Sequence, residues 1–182
     1  MPTKDDDDAD PPIVNIDAVI ADPAFRIENP ARGGFQATIA RIGEAVGTEK
    51  IGVNVTMVPA GAKAWPRHWH YGAEELFIVL TGAGTLHFGA RADPIKAGDV
   101  VSIRANTGIP FQIENTGTEE LRYLAVSTLE QPEVVVYPDS GKVGVIAGAP
   151  PLRSAAAAPE LKRRQFFRAE DAVGYWTGET ED

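Results

Sequence analysis

The sequence predicts an all-β fold, either a sandwich or a closed barrel, from three observations. Short segments with strand-like alternation of apolar residues fill the middle of the chain, and turn residues separate them roughly every 8 to 12 residues. Glycine and proline are frequent, at 18 and 14 of 182 residues, which favours many turns over a helical bundle. Apolar residues make up 43% of the chain, enough for the core of one domain.

The predicted elements follow one another closely along the chain. Residues 13–25 carry short apolar patches among prolines and are predicted to be extended segments near a sheet edge. Residues 39–46 predict a short helix that ends at Gly47. The strands are then predicted from alternation and turn residues at 51–57, 65–70, 75–81, 85–88, 100–103, 111–115 and 121–127, with an edge strand at 134–137.

Three regions are expected in the chain. Residues 1–12 are predicted to be a disordered acidic tail, and residues 13–148 the barrel domain with an N-terminal arm. Residues 149–182 read as a linker followed by a C-terminal segment with four aromatic residues, which we expect to dock on the barrel or on a partner subunit. The strand within 75–81 is apolar on both faces, so a homodimer is expected.

Charge and composition exclude several classes of protein. The formal net charge is −9, which makes nucleic acid an unfavourable partner. The chain has no cysteine, so disulfides and thiolate metal sites are excluded. No apolar stretch approaches the ~20 residues of a membrane span, and the acidic N-terminus does not fit a signal peptide. We therefore expect a cytoplasmic protein.

The candidate metal ligands are His68, His70 and Glu75. In an extended strand, residues two apart point to the same face, so both imidazoles are expected to face one way. Glu75 begins the next apolar strand, where an unpaired buried carboxylate would be costly, which favours a nearby cation. Two histidines and one carboxylate on one face form the ligand set of many open iron sites.

Two other residues compete for these roles. Glu74 is the alternative carboxylate, but strand parity and the distance to Gly82 favour Glu75, with Glu74 pointing outward. His87 has a parity opposite to that of its apolar neighbours. If those neighbours pack inward, His87 faces away from the candidate site.

These residues also carry a resemblance to a known family. The spacing of His68, His70, Glu75 and Gly82 resembles the first motif of the cupins, and Gly98-Asp99 with Gly108, Pro110 and Asn115 resembles the second. The string 67–70 and the ending 175–179 are similar to those of small bacterial single-domain cupins, most of them uncharacterised. The resemblance implies a jelly-roll β-barrel, often dimeric, with a metal at the barrel mouth.

The sequence departs from the cupin pattern at one position. The second motif of the family supplies a third histidine four residues before the asparagine, and here that position holds Phe111. Three ligands still suffice for Fe²⁺, Mn²⁺, Ni²⁺ or Zn²⁺, although the loss of one should weaken the affinity. We expect Phe111 to form an apolar wall of the same cavity, either as core filling or as part of a ligand pocket.

Two functions are consistent with this pattern. The first is a metal-dependent enzyme, of oxygenase or isomerase type, that acts on a small organic substrate in the barrel. Isomerisation would need a separate base, and the sequence offers no convincing tyrosine or second buried carboxylate at a defined place. The second is a non-catalytic module that binds or senses a small molecule, with a degraded or empty metal site, which the phenylalanine at position 111 favours. The superfamily includes both kinds of protein, so the fold does not decide between them.

Overall fold

The computed structural model describes residues 13–147 and 163–179. The expected acidic tail and almost all of the expected linker therefore lie outside the described residues. Within them, the helices are α1 Ile16–Ala21 and α2 Ile42–Val46. The strands are β1 Arg26–Arg32, β2 Phe35–Ala40, β3 Ile51–Val58, β4 Trp69–His70, β5 Glu75–Thr81, β6 Ala83–Phe88, β7 Arg91–Lys96, β8 Val100–Ile103, β9 Phe111–Glu114, β10 Leu121–Thr128, β11 Glu133–Tyr137, β12 Lys142–Ala147 and β13 Arg163–Arg168.

The strands form two opposed layers of antiparallel sheet. One layer is a six-stranded sheet in the order β1-β2-β3-β10-β5-β8. The other layer contains a three-stranded sheet, β7-β6-β9, and a four-stranded sheet, β13-β12-β11-β4. An isolated antiparallel bridge between His68 and Phe111 joins these two smaller sheets. The architecture is a jelly-roll barrel, which confirms the all-β prediction.

The main core fills the space between the two layers. It combines buried side chains of the six-stranded sheet, such as Phe77 and Tyr123, with Leu86 and Ile113 of the three-stranded sheet. Because alternate residues of a strand share a face, the inward position of Phe77 also places Glu75 on the inner face of β5. The core therefore fixes the side on which the candidate carboxylate lies.

A second, smaller core covers the outer face of β3. Val55 and Met57 of β3 pack with apolar residues of the two short helices, including Val19 and Ile42. The sequence prediction of extended segments over residues 13–25 is therefore wrong for α1. The missed signal is the side chain of Asn15, which accepts a hydrogen bond from the Ala18 N–H at 3.2 Å and caps the helix.

Five strands, β1, β2, β7, β12 and β13, were not predicted from the sequence. The predicted elements that did form differ mainly at their ends. The expected helix over residues 39–46 is shorter, because its first residues belong to β2, but it ends as expected at Gly47, whose φ is +80°. The expected strand over residues 65–70 is reduced to β4. The expected edge strand is longer, as β11, and lies between β12 and β4 rather than at an edge.

The C-terminal segment extends the four-stranded sheet. β13 pairs antiparallel with β12 along six residue pairs, from Lys142↔Arg168 to Ala147↔Arg163. The ring of Phe166 lies 5.9 Å from that of Tyr137. Beyond β13, Tyr175 and Trp176 contact each other and are 86% and 66% exposed. In residues 13–147 and 163–179, no helix has the length and apolar character to cross a membrane.

Candidate metal centre

The main chain brings the two histidines to one place beside the barrel core. His70 lies in β4, opposite Val135 of β11. His68 lies opposite Phe111, with reciprocal backbone hydrogen bonds of 3.1 and 2.8 Å. The two imidazole rings are 5.0 Å apart between centroids. The spacing of two residues thus places both rings together, even though only His70 belongs to a regular strand.

Glu75 completes a group of three possible ligands. One nitrogen of His68, one of His70 and one carboxylate oxygen of Glu75 all lie within 4.8 Å of one another. Glu74, the competing carboxylate, is exposed. His87 is elsewhere, with its Nε2 2.8 Å from the Oε2 of Glu114. The structure therefore brings together the three residues that the sequence singled out and separates the two competitors from them.

The imidazoles are neutral and at least one has a defined tautomer. Burial, together with the neighbouring His70, lowers the pKa of His68 to about 4, and burial lowers the pKa of His70 to about 4. The Nδ1 of His68 lies 2.7 Å from the carbonyl oxygen of Pro66. Because a carbonyl only accepts, Nδ1 carries the hydrogen and Nε2 is left with the lone pair that a metal needs.

Several polar atoms of this group are buried without a hydrogen bond. Among the described residues, both ring nitrogens of His70 and the Oε2 of Glu75 lack a hydrogen-bond partner. Burial and the nearby Glu133 raise the pKa of Glu75 to about 7. Buried polar groups are normally paired, so these unpaired nitrogen and oxygen atoms need an explanation. A divalent cation between the three side chains would take the Oε2 of Glu75 and one nitrogen of each histidine, and the residues fit that role.

Phe111 forms the apolar wall of the site. Its ring lies 4.6 Å from that of His68 and 5.7 Å from that of Phe77, measured between centroids. Phe111 is 2% exposed. The backbone bridge to His68 holds the phenyl group against that imidazole.

Two cavities meet at this group. The outer cavity, of about 320 Å³, reaches His70, Glu75 and Glu133. The inner cavity, of about 110 Å³, lies among His68, Glu75, Phe111 and other core residues. Glu75 lines both cavities. A cation held by the three side chains would therefore stand at the junction of an open mouth and a small internal space.

Glu133 is a residue of the site that was not predicted from the sequence. No second buried carboxylate was expected, but Glu133 is only 6% exposed, and its Oε1 lies 3.4 Å from the Nδ1 of His70. Burial raises its pKa, against the opposing effect of nearby backbone N–H groups. The available signal was parity: Glu133 precedes three valines in the predicted strand, and its position two residues before Val135 places it on the face of that residue.

The chain resembles known proteins over this same region. A family model described as the cupin domain matches residues 54–127, which run from within β3 to within β10. The oxalate-binding protein of Thermotoga maritima is 42% identical over 62 residues, which are 34% of this chain and 50% of that protein. The chain spans about half the length of the curated relatives it matches.

A solved structure with a TM-score well above 0.5 agrees with the fold. The putative sugar phosphate isomerase of Acidithiobacillus ferrooxidans has a TM-score of 0.73 and 21% identity, and the alignment covers 90% of this chain and 96% of that one. A predicted oxalate decarboxylase of Thermotoga maritima is 34% identical, with a TM-score of 0.48, over 58% of this chain and 90% of that one. With the cupin model matched across the strands that carry the candidate ligands, the chain belongs to the cupin family.

Proposed function

We propose that this protein is a metal-dependent enzyme that binds a divalent cation through His68, His70 and Glu75 and acts on a small organic molecule. The observation that carries the proposal is the convergence of their ligand atoms within 4.8 Å. Nitrogen and carboxylate ligands suit Fe²⁺, Mn²⁺, Ni²⁺ or Zn²⁺. Bound there, the cation would supply Lewis-acid chemistry or, as iron, a site for O₂.

The chain's own residues give this site its other properties. Phe111 keeps one side of the site apolar, and the lower local dielectric constant strengthens electrostatic interactions there. The outer cavity gives a small molecule access to Glu75 and His70. Both oxygenase and isomerase chemistry are compatible with this arrangement.

The charged residues around the outer cavity favour a particular class of substrate. The described residues around the outer cavity include five glutamates and one arginine, Arg41. Arg41 is already paired with Glu44. A phosphate-bearing sugar would meet net negative charge there, so the substrate named for the structural neighbour is not the one we propose. A small neutral molecule that can chelate the cation fits better. Oxalate, which a relative binds, is a dianion and serves as the charged chelator for comparison.

The alternative is a non-catalytic cupin that binds or senses a small molecule. The observation in its favour is Phe111, which leaves three ligands where the family pattern has four. A tightly bound ligand without turnover would be its signature. The cytoplasmic location expected from the sequence stays a prediction.

Metal reconstitution of wild type and Phe111→His tests the proposed function. We expect wild type to bind one Fe²⁺, Mn²⁺, Ni²⁺ or Zn²⁺ per chain, measured by calorimetry and elemental analysis. We expect Phe111→His to bind the same ion at least about 10-fold more tightly, because a fourth ligand would face the site. Phe111→Leu, which adds no ligand, is the matched control and should bind like wild type.

The outcomes of this experiment separate the two functions. A wild-type protein that binds none of the four ions overturns the enzyme proposal. If it binds an ion, O₂ consumption with small carbonyl, thiol and phenolic compounds, and with oxalate, tests oxygenase chemistry. Binding of such compounds without turnover would favour the non-catalytic alternative.

We also propose that two copies of the chain form a homodimer. β13 lies at the end of the four-stranded sheet, and Phe166 and Phe167 on it are each 48% exposed. An edge strand with exposed aromatic side chains is a surface that proteins usually cover. Light scattering should give twice the 19.5 kDa of the chain, and Phe167→Asp should lower the mass. A wild-type mass of one chain would contradict the proposal.

A further inference from the structure

Glu133 stands beside His70 because of the register of two strands. β11 pairs antiparallel with β4 so that Val135 lies opposite His70. Glu133 is two residues before Val135 and therefore on the same face of the sheet. The Oε1 of Glu133 comes within 3.4 Å of the Nδ1 of His70. The register thus places a carboxylate against the ring of one candidate ligand.

The two nitrogens of His70 face two different carboxylates. Nε2 lies 3.6 Å from the Oε2 of Glu75, on the side where the candidate ligands converge. Nδ1 faces Glu133. A neutral imidazole carries a hydrogen on only one of its two nitrogens. Coordination through Nε2 therefore leaves this hydrogen on Nδ1, pointing toward Glu133.

We propose that Glu133 is the positioning residue of the metal centre, which accepts the Nδ1–H of His70 and thereby fixes its tautomer and ring orientation. The inference rests on the proposed metal site. The observed 3.4 Å is longer than a charge-assisted N–H···O⁻ bond of about 2.7–2.9 Å, and a shift of about half an ångström closes it. A carboxylate partner also makes the imidazole a more basic ligand.

The backbone holds Glu133 in this place. The N–H of Gly72 donates to its Oε1 at 3.4 Å. A Cβ added at Gly72 would lie 2.8 Å from the Oε2 of Glu133, so a side chain at this position would push the carboxylate away from its present place. The Oε1 of Glu133 lies beside His70 and its Oε2 lies against Gly72, in the loop between β4 and β5. Glu133 therefore acts through His70 rather than on a substrate.

The Nδ1 atoms of the two histidines therefore face different groups. His68 donates its Nδ1–H to the carbonyl of Pro66 at 2.7 Å, whereas His70 has a carboxylate. Removal of Glu133 should loosen His70 and leave His68 unchanged. This difference provides an internal reference within one molecule.

The test uses the full chain loaded with Co²⁺, whose paramagnetism moves the ring N–H protons of coordinated histidines to resolved NMR positions. Wild type should show two such protons, both protected from exchange with solvent. Glu133→Ala should lose protection of one proton and keep the other, and its Co²⁺ affinity should fall about 10–100-fold. In Glu133→Gln, whose amide oxygen still accepts a hydrogen bond, protection should be partly restored.

Glu130→Ala is the matched control, since Glu130 lines the same outer cavity but is exposed. It removes the same charge and should leave both protons and the Co²⁺ affinity unchanged. Unchanged affinity and two protected protons in Glu133→Ala would overturn the positioning role while leaving the metal site intact. A wild-type protein that binds neither Co²⁺ nor Fe²⁺, Mn²⁺, Ni²⁺ or Zn²⁺ would instead overturn the proposed function itself. If it binds one of these four ions but not Co²⁺, the affinity for that ion carries the same comparison of variants. If Glu133→Ala does not fold, Glu133→Met, which fills a similar volume without a strong hydrogen-bond acceptor, carries the test. Full wild-type affinity together with two protected protons in Glu133→Met would overturn the inference.

Discussion

Replacing His70 with alanine is expected to abolish stoichiometric binding of a divalent cation, with an affinity loss of more than about 100-fold. Removal of a residue that only hydrogen-bonds to a metal ligand typically lowers the metal affinity roughly 10–100-fold. The loss expected here is larger, because a direct candidate ligand is removed. Only His68 and Glu75 would remain, and two protein ligands hold such ions weakly. Calorimetry with the ion that wild type binds best gives the measurement.

His87→Ala is the matched control for this prediction. It removes the third histidine of the chain, which is bonded to Glu114 and lies outside the group of candidate ligands. It should bind the cation like wild type. If His70→Ala retained wild-type affinity, the ion would have to bind elsewhere, and the aspartate run at residues 5–8 would be the next group to remove.

Replacing Asn115 with leucine is expected to lower the free energy of unfolding by about 3 kcal/mol or more. The side chain of Asn115 is fully buried. Its Nδ2 donates to the carbonyls of Val58 at 2.7 Å and Glu119 at 2.8 Å, and its Oδ1 accepts from the Gly117 N–H at 3.0 Å. Leucine would leave three polar groups without this partner, at a cost of about 1–3 kcal/mol for each one that stays unsatisfied.

Urea denaturation of wild type and of Asn115→Leu measures this loss of unfolding free energy. Asn15→Ala is the control, because it removes an asparagine that makes one capping hydrogen bond at an exposed position. Its expected cost is about 1 kcal/mol. Equal losses in the two variants would mean that the hydrogen bonds of Asn115 do not hold the turn between β9 and β10 to β3.

The barrel was predictable where local pattern and tertiary packing agree. β3 alternates apolar and other residues, β5 contains a short continuous apolar run, and turn residues bound both segments, so their patterns indicate strands. α1 was not predictable in this way, because six residues between prolines carry little helical periodicity. Its helical form depends on the Asn15 cap and on packing against β3. The packing is a tertiary contact that no local pattern shows.

The candidate site was predictable to the extent that its residues are close in sequence. His68, His70 and Glu75 are separated by short spacings that a strand and one turn convert into proximity. Glu133 joins them only through the register of β11 on β4, and a long-range register cannot be read from a single sequence. The resemblance to the cupins marked Phe111 as a departure, but only the structure shows its ring against His68.

The small size of the inner cavity has a consequence for the shape of any ligand. Its volume of about 110 Å³ equals that of three to four water molecules, at roughly 30 Å³ each. Only a fragment of a few heavy atoms can pass beyond Glu75, while the rest of the molecule stays in the mouth. Selectivity should accordingly depend on one slim end group, and analogues that differ at the opposite end should be tolerated.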